Sequence, residues 1–276
     1  MTMLRYTHHL VQPTLADDVP TPPSPTGQYP DPVWAKVDYS SLAQAASGEV
    51  EQTPISVPAA PPIELDNQEI YQIIRAVANG ISGEAVYEYV DAGTAATDGL
   101  RVGLTGFRQA NGELGQLLKI MQRRDPSLLA VIMGQDIETL LQVTNAGNQE
   151  ARLQPVGGQP LWHQSWQDKF RQAGQQPIFQ AAQNEAAIEL QFRPLLELAR
   201  SLDLRTDRGL AVLYDRAIAL GEQAGVLWLQ QRLPSANGAS ERTRLQALLT
   251  GATPVTQTRL ENILNSSLLD DTTYIL

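Results

Sequence analysis

Apolar residues recur at helical spacing along most of the chain from Asp66 onward. In "LDNQEIYQIIRAVANG", Ile70, Ile73, Ile74 and Val77 fall on one helical face behind an Asp/Asn cap signal with a Glu nearby. Asn79-Gly80 is the expected stop. "NGELGQLLKIMQRRDP" predicts a second helix ending at Asp125-Pro126, and "PSLLAVIMGQDIETLLQVTNAG" a third and a short fourth. Helical patterning continues through "QSWQDKFRQAGQQPIFQAAQNEAAIELQF". In "RPLLELARSLDL", Pro194 sits where a helix can begin. "TDRGLAVLYDRAIALGEQAG" has Thr206 as a cap and a stripe through Leu210, Leu213 and Ala217. "SERTRLQALLTG" and "TQTRLENILNSS" are the last helical runs. Strand-like material is confined to "AVYEYVDAG" and "LRVGLTGF". The pattern predicts a mainly α domain with a small β element near its start and no internal repeat.

Residues 1–65 differ. Prolines crowd the segment, including Pro20, Pro22, Pro23 and Pro25, then Pro58, Pro61 and Pro62. Such a run cannot sustain helical hydrogen bonding and offers little apolar area to bury. It is expected to be an extended arm with polyproline-like pieces. "DPVWAKVDYSSLAQAA", with Trp34, Val37, Tyr39 and Leu42, is a candidate docking element within it. The expected organisation is therefore an arm over 1–65 and a helical domain over 66–276, with other protein subunits as the arm's partners.

Charge and composition narrow the chemistry. The formal net charge of -10 over 276 residues argues against broad contact with a phosphate backbone, so no nucleic-acid partner is expected. Arg123-Arg124 and Arg205/Arg208 are the visible basic clusters, expected to be solvated helix ends. The absence of cysteine excludes disulfides, thiolate zinc sites and cysteine nucleophiles. His8, His9 and His163 lack metal spacing with nearby carboxylates, and "PVGGQP" lacks the setting of a phosphate loop, so neither metal nor cofactor is expected. No run reaches the ~20 apolar residues of a membrane span. The first twenty residues lack the apolar core of a secretory signal. Cytoplasmic synthesis is the expectation, with incorporation into a virion or phage-like particle as a possible destination.

Five pieces in order, "VANG", "VYEYVDAG", "GLTGF" followed by "NGELGQLL", "PIFQAAQNEAAIELQFRP" and "GLAVLYDRAIALG", resemble the chitosanases of glycoside hydrolase family 46 and, more widely, the lysozyme-like superfamily. The resemblance runs from about residue 68 to the C-terminus. It implies a two-lobed, mostly helical domain with a cleft between the lobes and a small sheet at one edge. Inverting hydrolysis in such a cleft needs a carboxylic acid at the leaving oxygen and a carboxylate to activate water on the opposite face. The resemblance places the acid at Ala78, which cannot donate a proton. It places the base at Ala95 or Ala96, and a local gap brings Asp98 into register. A histidine of the family falls near Leu220. Glu84, Glu88 and Asp91 are nearby carboxylates, with Glu84 the expected substitute acid. Asp98 reads equally as an Asp-Gly turn. The resemblance also implies substrate contacts from Arg101, Thr105, Asn184 and Asp215, with Asp215 part of a buried polar network. From the residues alone, Asp215 reads equally as a surface partner within its helix. Gln183 and Asn184 read as structural hydrogen-bonding groups as readily as sugar ligands, and Trp162 and Trp166 as core as readily as a stacking platform.

Three functional readings follow. The first is a degenerate, non-catalytic module that is structural or binds cell-wall glycan. It would be tethered by its arm to a larger assembly, such as the baseplate or spike region of a phage tail or contractile injection particle. The second is an active glycosidase on peptidoglycan or a chitosan-like polymer, using Asp98 with Glu84; the acidic net charge suits a cationic chitosan chain. The third is an unrelated helical adaptor.

Overall fold

The computed structural model describes residues 63–83, 85–92 and 95–276. The expected arm therefore lies outside the described residues up to residue 62, as does Glu84. The chain enters on strand β1 (Ile63–Glu64) and helix α1 (Asn67–Ser82). The Asp66 carboxylate accepts the backbone N–H groups of Gln68 and Glu69, while Glu69 accepts that of Asp66, a reciprocal capping box. Ile70, Ile73, Ile74 and Val77 are buried, as their spacing predicts.

Asn79-Gly80 does not stop α1. The helix runs on to Ser82 and ends at Gly83, whose φ of 68° is the left-handed conformation that favours glycine. A glycine weakens a helix interior by about 1 kcal/mol, less than the packing of the turn that follows, which brings Ile81 against the core.

A β element follows. A 3-10 turn (Val86–Glu88) occupies much of the expected "VYEY" strand. Strand β2 (Val90–Asp91), a short helical turn α2 (Ala95–Asp98), and strands β3 (Arg101–Val102) and β4 (Phe107–Arg108) complete it. The order β2-β3-β4 is antiparallel, with Val102 opposite Phe107 and Arg101 opposite Arg108. Successive strand residues point to opposite faces. Val102 and Phe107 thus go to the core, and the two arginines share the other face. A second, unexpected sheet pairs β1 in parallel with strand β5 (Tyr274–Ile275).

The helices fall into two packing groups. One contains α3 (Glu113–Arg124), α4 (Pro126–Met133), α5 (Ile137–Thr144), α6 (Gln149–Arg152), α7 (Gln164–Gly174) and α8 (Pro177–Ala186). A π-helical turn (Ala187–Phe192) leads out of α8 and, through a 3-10 turn at Arg193–Leu195, into α9 (Leu196–Ser201). The other group contains α10 (Asp207–Leu220), α11 (Glu222–Arg232), α12 (Glu241–Ala247) and α13 (Pro254–Leu264), with α1 packed on α10 and α13. Thr206 caps α10 by accepting the Gly209 N–H. Trp166 is core, and Trp162 packs half-buried against it.

Arg208 corrects one expectation. It is a buried cation that donates to the Leu264 and Ser266 carbonyls and pairs with Asp271. Arg205 stays exposed beside Asp203, and Arg123 and Arg124 form a surface fork on Glu185.

The first group meets the β element where α7 crosses the 3-10 turn at Gly174. A methyl there would overlap the Tyr87 backbone carbonyl, which cannot swing aside as a side chain can. Gly174→Ala is expected to destabilise the domain by about 1–3 kcal/mol, whereas Gly80→Ala, which meets open space inside α1, is expected to stabilise it by up to about 1 kcal/mol. Denaturant unfolding of the two variants checks the contrast.

Candidate functional site

Three adjoining hollows form a groove along the β element. The first, about 70 Å³, is lined by Ile81 at the end of α1, Tyr89, Thr105, and the guanidinium-bearing Arg101, Arg108 and Arg259. The second, about 210 Å³, shares Gly106, Arg108 and Ile218 with the first and adds Glu113, Gln191 and Tyr214. The third, about 170 Å³, shares Asn111, Glu113 and Leu190 with the second and reaches Arg152. Arg108 stands where the first two hollows meet.

The wall is built by the hairpin and by α10. The turn between β3 and β4 closes with a Gly106 N–H to Gly103 carbonyl bond of 2.9 Å and carries Thr105. Thr105 is buried and donates to Gln191 Oε1 at 2.7 Å, which also accepts the Tyr214 hydroxyl at 2.9 Å. Gln191 comes from the π-helical turn, a wider coil that is frequent at functional sites. Burial pushes the Tyr214 hydroxyl well above its ordinary pKa, and that of Tyr89 upward, Asp91 adding to the latter. Both are neutral phenols at ordinary pH.

The expected catalytic positions lie differently. Ala78 is fully buried, one turn before the end of α1, with its carbonyl accepting the Ser82 hydroxyl. Asp98 closes the turn α2 and forms an ion pair with Arg101; its side chain is 28% exposed. Ala95, Ala96 and Asp98, the positions to which the resemblance assigns the base, all belong to this helical turn. Glu84, the expected partner acid, lies outside the described residues. Glu88 accepts from Gln175, away from the groove lining. Leu220, at the position of the family's histidine, is exposed at the end of α10.

The expected sugar-binding residues divide. Arg101 and Thr105 line the first hollow. Asn184 instead accepts the Tyr87 hydroxyl at 3.0 Å, and that hydroxyl also meets Tyr71 at 3.0 Å. Burial, with the bond to Tyr71, raises the Tyr87 pKa to about 12. Asp215 is not a surface partner within its helix, nor does it face the groove. Its side chain is 2% exposed and receives both Arg216, from the same helix, and Arg259, from α13. A solute in the first hollow would meet Arg259, with Asp215 behind it. Gln183 is wholly structural, accepting the Leu104 N–H and donating to the Tyr87 carbonyl.

Sequence reasoning missed Arg108 and Arg259. Arg108 had a readable signal, because Val102 and Phe107 as inward hairpin residues force Arg101 and Arg108 outward together. Arg259 had none, since it reaches the groove only through its bond to Asp215, 44 residues away. Among the described residues no group of acidic or histidine side chains could hold a metal ion, and no helix is long and apolar enough to cross a membrane.

No protein-family model matches the sequence, and no curated protein matches it. Solved structures do match. A mutant chitosanase from Bacillus subtilis complexed with 6 GlcN aligns with a TM-score of 0.50 and 18% identity, over 75% of this chain and 81% of its own. A family 46 chitosanase of Gynuella sunshinyii complexed with chitotetraose aligns at 0.48 and 21%, over 73% and 86%. Helix-dominated architecture, small antiparallel sheet and alignment agree, and the chain has a chitosanase-like fold.

Proposed function

We propose that the chain is a non-catalytic, chitosanase-like module that retains the groove of the fold for holding cell-wall glycan, and that residues 1–65 tether it to other protein subunits of a larger assembly. The observation that supports this reading is the pairing of a buried methyl with a neutralised carboxylate. Ala78 stands, fully buried, where the resemblance puts the proton donor, and Asp98 is committed to Arg101. A general base must reach a water over the groove, and here the Arg101 guanidinium occupies one carboxylate oxygen of Asp98. Loss of chemistry is compatible with retained binding. The Bacillus neighbour is a mutant in which one glutamate is replaced by alanine, and it is complexed with 6 GlcN. A particle of the phage-tail or contractile-injection kind is the proposed setting, on the ground that a Pro-rich arm suits docking by extended segments.

Release of reducing ends from peptidoglycan and from chitosan tests the reading. Wild type and Asp98→Ala are both expected to stay at the blank rate. Reproducible cleavage by wild type that disappears in Asp98→Ala would overturn it in favour of an active glycosidase.

A further inference from the structure

Arg108 is a half-buried cation at the middle of the groove, and its environment selects for a type of ligand. Its Nη2 donates to the Ile218 carbonyl, and its backbone N–H is taken by the Glu113 carboxylate at 3.0 Å. Among the described residues no carboxylate lies within the 4.0 Å of an ion pair with its guanidinium. Arg108 lines both of the first two hollows.

The neighbours reinforce the same polarity. Arg101 and Arg259 line the first hollow with Arg108. The carboxylates that hold them sit behind or beside the wall. Asp215 is 2% exposed and is shared between Arg259 and Arg216, while Asp98 answers Arg101. Asp91 is the strand partner of Arg101 and lies beside Tyr89. Glu113 and Glu222 belong to the second hollow, not the first. A guanidinium carries donors and no acceptor, and an ammonium likewise carries donors only. An amino-sugar ring bearing –NH3+ would therefore find no acceptor among these three side chains and would meet like charge. A carboxylate would find parallel donors in the bidentate geometry that arginine favours. Tyr89 and Ile81 supply the adjoining apolar surface for a ring face.

We infer that the first hollow binds the carboxylate of an acidic sugar, with Arg108 as its anchor, so that the groove takes an anionic glycan rather than a polycationic one. This rests on the glycan-holding reading above and specifies its ligand. It also reverses the guess from net charge: the chain as a whole is at -10, yet this hollow is lined by three arginines.

Titration calorimetry of the full chain tests it with three oligomers of equal length: galacturonate, with a carboxylate on every ring; N-acetylglucosamine, which is neutral; and glucosamine, which is cationic. The galacturonate oligomer is expected to bind at least roughly tenfold more tightly than the glucosamine oligomer, the size of one hydrogen-bonded charge contact. Raising the ionic strength should weaken that binding. Arg108→Gln should weaken it roughly tenfold, with the melting curve reporting that the fold is kept. If the glutamine variant does not fold, Arg108→Lys keeps the charge and a donor for Ile218 while losing the fork, and is expected to weaken galacturonate binding severalfold. Glucosamine binding as tightly as galacturonate, or unchanged galacturonate affinity in the folded Arg108 variant, would overturn the inference. Binding of the neutral or cationic oligomer alone would sink it while leaving the glycan-holding reading intact. Binding of none would overturn both.

Discussion

Asp215→Asn is expected to cost the domain about 3–5 kcal/mol, the range for breaking a buried ion pair by deleting one partner. One carboxylate here serves two guanidinium groups. Arg216 approaches one oxygen through Nε at 2.8 Å and through Nη2, and Arg259 takes the other in the same two-pronged way, again with Nε at 2.8 Å. Arg216 is 3% exposed, so without Asp215 its charge has no route to water. Its remaining bonds, to Thr256 Oγ1 at 3.2 Å and over the Trp228 ring at 5.4 Å, do not replace a counter-charge. With total stability on the order of 5–15 kcal/mol for a domain, this substitution alone removes between about a fifth and the whole of it. Arg259→Ala should cost less, because Arg259 is 22% exposed and Asp215 would keep Arg216. Urea unfolding of both variants gives the ordering. Equal losses, or a loss under about 1 kcal/mol for Asp215→Asn, the level of a surface pair, would show that the network does not tie α10 to α13.

That network illustrates what the sequence could and could not convey. Tyr214-Asp215 was recognisable as a motif, but its two partners differ in kind. Arg216 is adjacent in the chain, where a helix normally sends neighbouring side chains to different sides. Arg259 comes from another helix. Helix faces were legible because burial follows a local period, as the buried set Ile70, Ile73, Ile74 and Val77 shows. The end of α1 was misread because Asn79-Gly80 resembles a stop, and only tertiary packing carries the helix past it. The β1–β5 pairing joins Ile63 to Tyr274 through two-residue strands, too short to leave a periodic trace. The groove is less legible still. Ile81, Arg108, Ile218 and Arg259 meet in one hollow through folding alone. Composition even pointed the wrong way there, since a net charge says nothing about which residues face one hollow.

Gln183→Leu is expected to be nearly as damaging as the loss of Asp215, although no charge is involved. Gln183 is fully buried on α8 and ties together the two segments that flank the hairpin: its Oε1 accepts the Leu104 N–H at 2.7 Å, and its Nε2 donates to the Tyr87 carbonyl at 3.1 Å. Leucine matches the volume but leaves both backbone groups without this partner, at about 1–3 kcal/mol for each orphaned group. Leu104 lies in the turn that carries Thr105 and leads into Arg108, so glycan binding should weaken along with stability. Gln183→Glu separates the two bonds. A glutamate can still accept from Leu104, but only its protonated form can donate to Tyr87, and the ionised form would set a buried charge against a carbonyl. The fold therefore favours the proton, raising the pKa of that glutamate above its unfolded value. A group raised in this way contributes fully below its unfolded pKa and loses that contribution as pH rises through the folded one. Gln183→Glu should thus approach wild-type stability in mildly acidic buffer and fall behind it toward neutral pH, while Gln183→Leu should show a deficit that does not change with pH. Denaturant midpoints for the three proteins across that range decide the matter. A Gln183→Glu deficit independent of pH would mean that the Tyr87 carbonyl finds another donor.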